Sequence, residues 1–121
     1  MTKTATIDRK RKRLEDMAKI EMNIIEAEYE LMRLTSIEVL GGDLRLSQLR
    51  RSRGVIGALV YLVTENDGAN CLKLHDAGWG ERSAEAIIGH HPKHFSKKTV
   101  QLARARRQQC MTGRELGEQQ Q

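Results

Sequence analysis

Between Met17 and Leu34 the apolar residues Met17, Ile20, Ile24, Ala27, Leu31 and Leu34 step by three, four, three, four and three. A 3–4 repeat lines up on one side of a helix, as the a and d positions of a coiled coil do. Gly41-Gly42 is the break that ends the pattern. The spacing predicts a helix from about Arg9 to Leu34. Ile25 and Met32 widen its apolar stripe, so it is also able to bury against a domain. Two and a half heptads are short for a free-standing coiled coil. The six seam residues are therefore expected as dimerisation contacts, with burial within one chain as the alternative.

The rest of the composition points to helices. The chain has 121 residues, one Pro, and 3% aromatic residues against 39% hydrophobic ones. Its core must be aliphatic and methionine-bearing, which suits packed helices better than sheets. An all-α fold is expected: a long N-terminal helix and a helical domain. Residues 1–40 form a basic arm and the amphipathic helix, 41–112 the domain, and 113–121 a disordered tail. Two cysteines, Cys71 and Cys110, make no disulfide framework. The start lacks a signal-peptide pattern, and the run from Val55 to Val63 is too short for a membrane span. A cytoplasmic protein with no membrane partner is expected.

Net charge is +5, and the charge is segregated. Arg9, Lys10, Arg11, Lys12 and Arg13 open the chain. Glu21, Glu26, Glu28 and Glu30 follow, then Arg45, Arg50, Arg51 and Arg53. Lys93, Lys97, Lys98, Arg104, Arg106 and Arg107 lie in 93–107, a stretch without one acid. Basic clusters are often only solvated faces, but their number here favours a polyanionic partner.

Further helices are expected at about 44–64 behind an Asp43 cap, at 70–77, at 81–90 and from Ser96 to about Cys110. The run Val55 to Val63 is β-prone in isolation, so a buried strand is the alternative there. Glu65-Asn66-Asp67-Gly68 is a turn signal. The stretch Ala69 to His90 has a short helix, a Gly78/Gly80 turn and a second helix, the outline of a helix-turn-helix. Arg82, Ser83 and Glu85 open the second helix, where major-groove readers sit. Arg50, Arg51, Arg53, Lys93, Lys97, Lys98, Arg104, Arg106 and Arg107 would neutralise phosphates. The bland alternative is two surface helices with Arg82 merely solvated.

Gly80-Glu81-Arg82-Ser83-Ala84-Glu85-Ala86-Ile87 resembles the Gly-Gly-Arg-Asp-His-Thr-Thr-Val signature of the C-terminal DNA-binding domain of the bacterial replication initiator DnaA. Gly80, Arg82 and Ile87 match, and Arg53 to Thr64 lies where that family has its long helix. The family's Asp-His-Thr-Thr set is absent. The resemblance implies a related trihelical DNA-binding fold without the ATPase module, since no Gly-Lys-Ser/Thr phosphate loop is present.

Cys71 and His75 stand four apart on one predicted helix, as do His90 and His94 around Pro92, but nothing repeats a zinc-ligand pattern. Small buried cysteine and surface histidines, the latter touching phosphate, are the simpler expectation. No metal and no cofactor are expected. No nucleophile–base pair or carboxylate pair is legible, so an enzyme is not expected. The expected function is a dimeric transcription regulator that recognises double-stranded DNA by sequence. The alternatives are an adaptor or inhibitor that docks a second protein through its acidic N-terminal helix, and a non-specific nucleic-acid coat. The regulator reading requires Arg82's helix to face outward. A helix packed inward favours the adaptor.

Overall fold

The computed structural model describes residues 2–43, 45–65 and 69–119, with side chains over 8–43, 45–65 and 71–112. The turn expected at Asn66-Asp67-Gly68 lies outside the described residues, as do part of the expected tail and the side chains of 1–7. The described residues are helical, with no strand among them. Helix α1 spans Thr2–Leu40, α2 Leu46–Glu65, α3 Ala69–Asp76, α4 Ala84–His90 and α5 Lys97–Gln119. Short 3₁₀ turns at Gly80–Arg82 and Pro92–His94 flank α4. The all-α expectation holds. The β-prone run of Val55 to Val63 is helical, because packing in a helical core outweighs weak β propensity.

Helix α1 has two apolar stripes. Ile25, Tyr29, Met32 and Ser36 are buried in the domain. The seam Met17, Ile20, Ile24, Ala27, Leu31 and Leu34 is exposed. Consecutive helical residues differ by about 100°, so the centre line of the seam lies about 145° around the helix from that of the buried stripe, nearly on the opposite side. Every residue from 8 to 20 is exposed. The first half of α1 therefore projects from a domain that holds only its second half. Arg9 to Arg13 are helical residues of this projection, as the helix expected from about Arg9 has them.

Gly41 ends α1 with φ +83°, a left-handed conformation that costs glycine little. Asp43 then closes the corner: its carboxylate accepts from the Arg45 backbone N–H at 3.1 Å and from the Ser47 hydroxyl at 2.7 Å. The buried Tyr29 hydroxyl donates to the Leu46 carbonyl at 2.8 Å and pins α1 to the start of α2. Burial pushes the Tyr29 phenol up to about 12. Inside α2, Gly54 adopts φ 74°, ψ 169°, which breaks the helix into two segments. Nothing crowds its missing side chain, so dihedral freedom, not close approach, explains this glycine. The second segment buries Val55, Ala58, Leu59, Leu62 and Val63.

Helix α3 ends at Gly78, φ +86°. The Gly78 N–H reaches the His75 carbonyl at 3.0 Å and the Trp79 N–H the Leu74 carbonyl at 2.7 Å, the two bonds of a Schellman stop. Gly80 follows because a Cβ there would sit 2.6 Å from His75 Nδ1. Residues from all five helices meet in one core, including Tyr29, Leu59, Leu74, Ile88 and Val100.

Candidate nucleic-acid interface

The helix chosen from sequence as the base reader faces inward. The expected helix 81–90 divides into the 3₁₀ turn and α4. Ala84, Glu85, Ala86, Ile87 and Ile88 are all buried. Ser83 is fully buried and caps α4: its hydroxyl oxygen accepts from the Ala86 N–H at 3.2 Å and its hydroxyl donates to the Gly80 carbonyl at 2.8 Å. Glu85 is 3% exposed. Burial holds its carboxyl above the usual carboxylate range, partly offset by its own backbone N–H and by Arg106. Neither Ser83 nor Glu85 reaches a base edge in this fold. Arg82 is half-buried, with its guanidinium 5.7 Å from the Trp79 ring. The expected base-reading role is thus contradicted for Ser83 and Glu85, while Arg82 stays partly exposed beside Trp79. Two consecutive isoleucines and two alanines leave so short a helix no polar face.

What α4 does is hold α5. These two helices share the most extensive packing in the molecule. A buried short helix, a bend at His91-Pro92 and a longer capped helix follow one another here, one helix later than the pair the sequence suggested. Ser96 caps α5 by accepting the Thr99 N–H at 3.2 Å. Thr99, Val100 and Ala103 of α5 are buried, while Lys97, Lys98, Gln101, Arg104 and Gln108 are exposed. Lys97, Gln101, Arg104 and Gln108 step by four, three and four, which is one helical face. No carboxylate occurs in the sequence between Glu85 and Glu115. Lys93 is exposed on the turn just before this face. Gln101 escaped the sequence reading; its signal was the inward periodicity of Val100 and Ala103 behind the Ser96 cap.

The other basic residues divide. Arg104 is exposed and only loosely engaged, 3.5 Å from the Gly89 carbonyl. Arg106 is half-buried toward Glu85, with Nη1 buried and lacking a hydrogen bond among the described residues. Arg107 is half-buried and lines a shallow groove with Glu81. Arg50 pairs with Glu26 and, at 3.8 Å, with Glu30. Arg53 stacks on the Tyr61 ring at 4.4 Å. Arg51 is exposed. The structure thus keeps Lys93, Lys97, Lys98 and Arg104 together on the α5 side. It pairs Arg50 with Glu26 and Glu30 and half-buries Arg106, which removes both from the expected set of free phosphate contacts.

Histidines expected at phosphate instead bind α1. His91 is buried between two carboxylates, with Nδ1 3.4 Å from Glu21 and Nε2 2.9 Å from Glu28. His94 Nε2 lies 3.2 Å from Glu21. An imidazole donates from both nitrogens only when protonated. The His94 and then the His91 hydrogen bonds hold the Glu21 carboxyl below its usual range. A lowered carboxylate stabilises the fold above its ordinary pKa, and that contribution disappears as pH falls through the lowered value. Urea melts should show stability falling below about pH 4.5, and Glu21→Gln should flatten that fall while lowering stability at pH 7. Parallel curves for the two proteins would remove this clamp.

The clamp also bears on the acidic helix. Glu21 and Glu28 hold histidines, and Glu26 and Glu30 hold Arg50. The acidic face is therefore turned to the chain's own domain. Cys71 lies beside Cys110 in the core, and burial, above all, pushes its thiol up. Among the described residues no group of three or more potential ligands is placed to hold a metal ion, and no helix is long and apolar enough to cross a membrane. Comparison with protein-family models, curated proteins and solved structures finds no match.

Proposed function

We propose that this protein binds double-stranded DNA by sequence and regulates transcription, with α4 as the positioning helix and α5 as the reading helix. The carrying observation is the acid-free outer face of α5, with Lys97, Lys98, Gln101 and Arg104 exposed at its capped start. A reading helix contacts base edges with its first turns. Gln101 suits adenine and Arg104 guanine, each by two hydrogen bonds, while Lys93, Lys97 and Lys98 suit phosphates. The burial of Ser83 and Glu85 counts against base reading through α4 and for the adaptor; the exposed basic face of α5 alone keeps the regulator reading first.

Selection of bound duplexes from a random pool tests it. The wild type should enrich one motif. Gln101→Ala should lose about 1–3 kcal/mol on that motif and little on random DNA. Arg82→Ala should behave as wild type on both. A pool that emerges without enrichment leaves only charge-driven coating.

The adaptor reading has its own support in the exposed α1 seam, the heptad face through which it would dock. A regulator that dimerises uses the same seam.

A further inference from the structure

Among the described residues, five of the ten exposed large apolar side chains lie on the outer stripe of α1. Met17 and Ile20 are each 58% exposed, Leu34 48% and Ile24 44%. Scattered exposed apolar residues need no explanation, but a continuous stripe does. The projecting half, 8–20, makes no buried contact with its own domain. A helix of that length is marginal in water unless something packs on it.

Charge at the stripe's ends selects the occupant. The 3–4 repeat continues beyond the apolar residues to Arg13 at one end and Glu38 at the other. Both are exposed, and neither has an ion-pair partner among the described residues. Two copies of α1 laid parallel would place Arg13 against Arg13 and Glu38 against Glu38. Laid antiparallel, they bring Ile24 level with the partner's Ala27, Ile20 with the partner's Leu31 and Met17 with the partner's Leu34. The same register sets Arg13 beside the partner's Glu38 at both ends. Flanking Glu21 and Glu28 would approach each other across this interface, but His91 and His94 already occupy their carboxylates. The buried stripe lies about 145° around the helix, so a partner helix would not displace the domain.

We infer that α1 self-associates as an antiparallel pair in this register, with the Arg13–Glu38 contacts setting the orientation. This is independent of DNA binding and is tested without DNA. Sedimentation equilibrium of the full chain should show a reversible dimer. Ile24→Asp should make it monomeric while the domain stays folded, because Ile24 is outside the core, with helical signal lost only from the unpacked segment 8–20. Arg13→Glu and Glu38→Arg should each weaken the dimer about tenfold, since each change converts two pairs to repulsions. The double variant Arg13→Glu/Glu38→Arg should regain most of the loss. A monomeric wild type would give the stripe to another protein and overturn the inference. So would single reversals without effect, as a parallel pair requires, or a double variant that fails to recover.

Discussion

Exchanging Lys97 and Lys98 together for glutamate should lower affinity for any double-stranded DNA by about a hundredfold or more near 0.1 M salt. A neutralised phosphate releases roughly 0.9 of a counterion, so losing one contact costs about an order of magnitude in binding at that salt. Two contacts give nearly two orders, and two carboxylates at a polyanion add repulsion. Fluorescence anisotropy across a salt series gives both quantities: the affinity, and a logarithmic salt slope smaller by about 2. Both lysines are exposed, so thermal stability should stay within about 0.5 kcal/mol of the wild type. Arg50→Gln is the comparison. Arg50 belongs to an equally basic sequence cluster but is paired with Glu26 and Glu30. It should change DNA affinity less than about threefold, within the range expected for losing a charge already compensated. Equal losses for the two proteins would mean that net charge, not the α5 face, governs binding.

That contrast marks where sequence reasoning reached and where it stopped. The helical class was legible, because apolar spacing and the near absence of aromatics and proline speak directly to backbone. So were the caps at Ser96 and the stop near Gly78, which are local chemistry. The seam of α1 was legible as a stripe, but not that a second stripe, Ile25 to Ser36, would take the domain and leave the first in water. Two interleaved 3–4 patterns on one helix cannot be ranked without knowing what packs on them. The inward packing of 83–88 was not legible for a related reason. Arg82, Ser83 and Glu85 look polar in sequence. Ser83 spends its hydroxyl on two backbone partners, and Glu85 is buried near Arg106 and Cys71. Their polarity serves a helix start inside the fold. The pairing of His91 with Glu21 and Glu28 joins residues 70 and 63 apart, and no local pattern reveals such a partner.

The inward placement of α4 carries a stability consequence larger than any surface change. Ile88 is fully buried in the cluster that joins α1, α2, α4 and α5. Ile88→Ala removes three carbons and leaves a cavity that neighbours fill only in part, at a cost of about 2–5 kcal/mol. At roughly 4 °C per kcal/mol for a chain of this size, the melting temperature should fall by about 8–20 °C. Urea unfolding should show a lower midpoint with an unchanged m-value, since the surface exposed on unfolding stays nearly the same. Arg82→Ala, three residues before α4's core positions Glu85 to Ile88, should cost under about 0.5 kcal/mol. The ordering of these two variants separates the alternatives for this segment. A reading helix lying on the surface would tolerate Ile88→Ala with a loss below about 1 kcal/mol and would suffer in DNA binding from Arg82→Ala. A positioning helix gives the reverse: its isoleucines hold α5 in place, and α5's own exposed residues meet the duplex. Near-equal, small stability losses at the two sites would return α4 to the surface and remove the physical basis for assigning the reading role to α5.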